Sequence, residues 1–144
     1  MGAYEKAVDL LKRREHTAKD LMRKLADKGF NADDINNAVE KLKAEGYLSD
    51  ERFAEVYLRS RLRKTAEGKP VLTMRLIEKG VPKVLASAMV SAAWDDEEYL
   101  PSLIREWNKQ STKYGREKAG QKLLQKGFTL TEIRKAEEKS NEET

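Results

Sequence analysis

One ten-residue pattern occurs three times in this chain, as Leu21–Phe30, Leu72–Val81 and Ala119–Phe128. Each copy carries Lys-Gly followed by an apolar residue, with Leu four positions before the glycine and Leu or Ala eight before it. Twelve positions before the glycine stand Thr17, Gly68 and Gly115, all suited to opening a helix. The glycines lie 51 and 47 residues apart, a period that belongs to an array of small units rather than to one irregular core.

Apolar residues at −8 and −4 fall on one side of a helix. The lysine before each glycine places a cation in the last turn, opposite the negative end of the helix dipole. The glycine then takes the left-handed C′ position, and Phe30, Val81 or Phe128 folds back against the helix end. Each copy therefore predicts a helix of about three turns with a sharp stop.

Other start and stop signals complete each unit. The first helix runs from Ala3 to Arg14 and carries Ala7, Val8, Leu10 and Leu11 on one side. Thr17 with Asp20 approximates a capping box for the second helix. Asn31 caps a third helix with the stripe Ile35, Ala38, Val39 and Leu42, which ends at Glu45-Gly46. Ser49 opens a fourth through Asp50 and Glu51, burying Phe53, Ala54, Tyr57, Leu58 and Leu62.

Gly68 and Pro70 begin the fifth helix. Pro82 is placed as the first residue of a sixth, with Leu85, Ala88, Met89 and Ala92 as its stripe. Asp95 to Glu98 reads as an acidic start for the seventh, which buries Leu100, Leu103, Ile104 and Trp107, with Pro101 tolerated in its first turn. The eighth ends at Gly127, and Thr129 with Glu132 is a second capping box, opening the ninth helix through Ile133 and Ala136. Ser140 to Thr144 is expected to fray. No segment alternates with period two for long enough to form a strand. The expected architecture is all-α, an elongated array of three tandem three-helix repeats over residues 1–48, 49–93 and 94–144, with several small cores.

Charge and composition narrow the function. The chain has no cysteine, so disulfides, thiolate metal sites and thiol nucleophiles are excluded. Its single histidine, His16, stands at a break between helices and reads as a capping or packing residue. Asp95 to Glu98 lacks the alternate spacing and glycine of a calcium loop, and Gly68-Lys69-Pro70 lacks Walker spacing. The residues therefore point to no catalytic site, cofactor, metal or small-molecule substrate. Nothing resembles a signal peptide, and no apolar run approaches the ~18 residues of a membrane span, so a cytoplasmic protein is expected.

The net charge of +4 is uneven. Residues 1–49 carry 10 basic and 9 acidic groups, residues 50–94 carry 9 and 5, and residues 95–144 carry 10 and 11. The excess sits in the middle third, where Arg59, Arg61, Arg63 and Lys64 cluster at the end of the fourth helix, with Arg75 and Lys79 in the fifth. A helix C-terminus favours cations, but this cluster exceeds what capping needs. Phosphates or an acidic protein surface are its natural partners.

The stretch Leu11 to Leu25, the run Gly46-Tyr47-Leu48-Ser49-Asp50-Glu51-Arg52-Phe53-Ala54, the run Ser60 to Lys64 and the terminal Lys126 to Ile133 closely resemble the RecX family of RecA regulators. The resemblance covers essentially the whole chain. It implies a non-enzymatic modulator that binds the RecA filament on single-stranded DNA, and a monomer is expected. Such a protein restrains filament growth, ATP hydrolysis, strand exchange and the co-protease activity that triggers the SOS response. Arg59, Arg61, Arg63, Lys64, Arg75 and Lys79 are then the expected partner-binding residues, meeting acidic RecA surfaces, the phosphates of single-stranded DNA, or both.

This chain departs from the family pattern at Lys64-Thr65-Ala66-Glu67-Gly68-Lys69-Pro70 and at Arg75, where an acidic residue is usual. Phe53 is assigned to packing and Asp50 to a helix start, while Arg52 has no assigned role. The competing reading is a direct nucleic-acid binder with helix pairs acting as helix-turn-helix units.

Overall fold

The computed structural model describes residues 1–94 and 99–142, and these form nine helices and no strand. The first three are α1 (Ala3–Arg13), α2 (Ala18–Asp27) and α3 (Ala32–Ala44). Next come α4 (Asp50–Lys64), α5 (Lys69–Lys79) and α6 (Lys83–Trp94), then α7 (Tyr99–Tyr114), α8 (Arg116–Gln125) and α9 (Leu130–Glu142). Helices pack chiefly within the trios α1–α3, α4–α6 and α7–α9, and α7 also meets α4 and α6. The acidic start expected at Asp95 to Glu98 lies outside the described residues.

Local chemistry explains the helix ends. The glycine of each repeated stretch has positive φ: 92° at Gly29, 107° at Gly80 and 94° at Gly127. Behind each, the next amide reaches back to the −4 leucine carbonyl, Phe30 to Leu25, Val81 to Leu76 and Phe128 to Leu123, which closes the helix end. Thr129 and Glu132 form a full reciprocal capping box at 3.1 and 2.8 Å. Thr17 is only half of one. Its hydroxyl accepts the Asp20 N–H at 3.1 Å, but the Asp20 carboxylate turns to Arg23 and Lys24.

The core departs from one core per repeat. Leu10, Leu21, Leu25, Ile35, Val39, Leu42 and Leu48 make a core for the first trio alone. A second core is continuous from Phe53 to Ala136, so the second and third trios share one interior.

Three smaller expectations need correction. Pro82 stands before α6, its carbonyl accepting the Ala86 N–H at 2.8 Å, so it caps the helix instead of beginning it. The buried positions of α6 are Ala86 and Val90, flanked by Leu85, Met89 and Ala93, whereas Ala88 and Ala92 are exposed. An Ala- and Val-rich helix has too little contrast between its sides for periodicity to fix the buried one. The tail is ordered further than expected: α9 runs to Glu142, and the Ser140 hydroxyl bonds to Asn108 on α7.

Candidate functional site

The trios join by one repeated contact. The start of the middle helix in one trio meets the Lys-Gly end of the middle helix in the next. Between the first and second, the Thr17 hydroxyl donates to the Lys79 carbonyl at 2.8 Å. Between the second and third, the Gly68 N–H donates to the Lys126 carbonyl at 2.8 Å. Asp50 strengthens the first junction by accepting the Ala18 N–H at 2.8 Å, a contact between trios beyond its place at the start of α4.

A second register runs through all three trios. The residue just before the middle helix's N-cap touches the residue eight positions later. His16 Nε2 lies 3.0 Å from Lys24 Nζ, Glu67 binds Arg75, and Lys122 Nζ sits 4.3 Å from the centre of the Tyr114 ring. The positions are equivalent and the chemistry differs in each.

In the middle trio this pair reshapes the expected binding site. Glu67 is buried, with 8% of its surface exposed. Arg75 reaches it through Nε and Nη2 at 2.9 and 2.6 Å, and Arg61 Nε reaches it at 2.6 Å. Burial works to raise the Glu67 pKa, but hydrogen bonds from Arg75 and Arg61 outweigh it and hold the carboxylate below its ordinary range. Arg61 and Arg75 are thus clamped onto one anion that ties the α4–α5 connection to both helices. Sequence reasoning missed Glu67 because it stands in a connection, yet its spacing to Arg75 equals that of His16 to Lys24.

The other four cations lie outward. Arg59, Arg63, Lys64 and Lys79 are exposed, and Arg59 makes only a surface pair with Glu55 at 3.2 Å. Arg59 also borders a cavity of about 220 Å³ between α4 and α6, floored by Leu58, Leu62 and Met89. Arg105 of α7 donates to the Leu62 carbonyl at 3.3 Å, fixing the end of α4 against the third trio. The result is an exposed cationic edge on a framework held from beneath by Glu67.

Two residues gain roles that the sequence left open. Arg52 bonds to Glu15 at 2.7 Å and to the Gly46 and Tyr47 carbonyls at 2.9 and 3.0 Å, clamping the turn into α4. His16 is buried, with Nδ1 3.0 Å from the Arg14 carbonyl. That contact makes Nδ1 the donor and leaves Nε2 as acceptor for the Lys24 ammonium, so the ring is neutral. Burial is the main cause lowering its pKa, and the Lys24 charge adds to it. Among the described residues, no three His, Asp or Glu side chains gather as metal ligands, and no helix is long and apolar enough to cross a membrane.

Comparison with known proteins places this arrangement. Residues 3–42 match the family model described as RecX, first three-helix domain, and residues 49–89 match RecX, second three-helix domain. The chain belongs to the RecX family. Regulatory protein RecX of Clostridium perfringens is 37% identical over 123 residues, which is 78% of this chain and 56% of that protein's length. The Haemophilus influenzae protein of the same name is 29% identical over 136 residues, covering 91% of this chain and 90% of the relative. The crystal structure of RecX from Lactobacillus salivarius superposes with a TM-score of 0.85 at 23% identity, over 96% of this chain and 94% of that one. That RecX structure thus shares its fold with this chain.

Proposed function

We propose that this protein binds the RecA filament assembled on single-stranded DNA and restrains its ATP hydrolysis, strand exchange and co-protease activity. It acts as a cytoplasmic monomer of three units, 1–48, 49–93 and 94–144, with no catalysis or cofactor of its own. The observation that carries this reading is the edge of exposed cations on the one repeat that holds the excess charge, in a chain of the RecX family. Arg59, Arg63, Lys64 and Lys79 meet acidic filament surfaces or DNA phosphates directly. Arg61 and Arg75 contribute the half of each guanidinium that Glu67 leaves open, and hold the edge in shape.

A flank of this kind steers association through long-range attraction more than it sets final affinity, so binding should weaken as salt rises. The test mixes purified protein with RecA and single-stranded DNA. The DNA-dependent ATPase should fall and filaments should shorten at stoichiometric or lower protein. Unchanged ATPase and filament length under those conditions would refute the reading.

A further inference from the structure

At the third trio the residue before the N-cap, which is turned inward elsewhere, faces solvent. His16 and Glu67 are buried, whereas Tyr114 is 39% exposed. Lys122 Nζ lies 4.3 Å and Lys113 Nζ 5.1 Å from the centre of the Tyr114 ring. Among the described residues, no carboxylate pairs with Lys113, Lys118 or Lys122, although Lys24 has Asp20 and Arg75 has Glu67. A hydrogen bond from Lys113, then its charge and those of Lys122 and Lys118, pull the Tyr114 pKa below its ordinary value, which reports a positive field at the ring. Gly115 opens α8 directly beside it with no side-chain cap, so the positive end of that helix adds to the field. Glu117 is the one acid in the first turn of α8.

We infer that the Tyr114 end of the third trio is a platform for single-stranded nucleic acid. One base stacks on the Tyr114 ring, and Lys113, Lys118 and Lys122 take the phosphates on either side. An exposed aromatic among unpaired lysines fits this ligand because every base has a π-face and every nucleotide a charge. A duplex keeps those faces stacked inside and cannot use the ring. A carboxylate-rich protein segment gains from the lysines but is repelled by the electron-rich face of the ring. A second copy entering by its own Lys28-Gly29, as the trios do among themselves, would bring a fourth cation into the cluster. The ammonium groups now over the ring sit on flexible four-carbon stems and exchange it for phosphate when a base arrives.

The test titrates a fluorescein-labelled oligothymidylate with the full chain, without RecA, and follows anisotropy across a salt series. Because RecA is absent, the outcome is independent of the filament reading. Tyr114→Ala should weaken binding about tenfold and Tyr114→Phe should retain most of it. Lys118→Ala and Lys122→Ala should each lower the salt slope by about 0.7. Circular dichroism should be unchanged in all four variants, since none of these side chains is buried. Three results would overturn the inference: no binding at low salt, equal binding by Tyr114→Ala, or a polyglutamate peptide bound with the same Tyr114 dependence. Concentration-dependent self-association in sedimentation that Tyr114→Ala abolishes would instead assign the surface to a second copy.

Discussion

The two junctions between trios use one register and opposite means. At the first, a side chain makes the contact: Thr17 caps α2 with its oxygen and gives its proton to the Lys79 carbonyl. At the second the equivalent residue, Gly68, has no side chain. Gly68 donates from its backbone, and a Cβ there would overlap the Gly127 carbonyl. The first trio, joined by the hydroxyl bridge, has its own core, and the second and third, joined by the glycine contact, share one. The repeated position thus differs between a junction whose units keep separate cores and one whose units share a core.

The comparison breaks most severely at Gly68. Gly68→Ala should cost about 3 kcal/mol or more in urea unfolding, because backbone and not a mobile side chain must move. Loss of protection against hydrogen exchange should centre on α5 and α8 and spare α1–α3. A cost under about 1 kcal/mol would mean that the close approach is not maintained in solution.

Next comes Glu67→Gln, which removes the anion shared by Arg61 and Arg75. About 2 kcal/mol is expected, less than for a wholly buried pair because both guanidinium groups remain partly in water. The Glu67 pKa is lowered in the folded state, so its contribution is present above the ordinary carboxylate range and lost as pH falls through the folded value. Wild type should therefore lose more stability in acid than Glu67→Gln does. Parallel acid limbs would contradict the clamp.

Thr17→Ala removes both the cap and the bridge and should cost about 1–2 kcal/mol, seen as a lower urea midpoint with loss of protection confined to α2 and the end of α5. The smallest effect belongs to His16. Its pKa is lowered from 6.5 on folding, so the unfolded chain takes the proton first and stability declines as pH falls below 6.5. Replacing His16 with Gln should remove that decline from the first trio. A melting curve that responds to pH equally in both proteins would show that the ring does not titrate as described.

Much of this molecule was legible in its sequence because helix ends are local. The Lys-Gly stops, the Thr129–Glu132 box and the stripes of α3 and α4 depend on residues within one or two turns. Other features depend on chain segments far apart. The second and third trios share a core where Gly68 meets Gly127, and nothing near either residue announces the other. The six expected binding cations were visible as charge, but not the division into four that face outward and two that grip Glu67. Alanine replacement of Arg61 therefore tests folding as much as binding, and a clean probe of the flank leaves Arg61 and Arg75 in place.

That probe is the most direct measurement available. Binding to preassembled RecA filaments on single-stranded DNA is compared for wild type and the variant R59A/R63A/K64A/K79A, with helicity checked in both. The cationic edge predicts matching helicity and filament affinity weakened about tenfold or more, since several charge contacts are lost together. Equal affinity in a fully folded variant would show that the filament is held elsewhere.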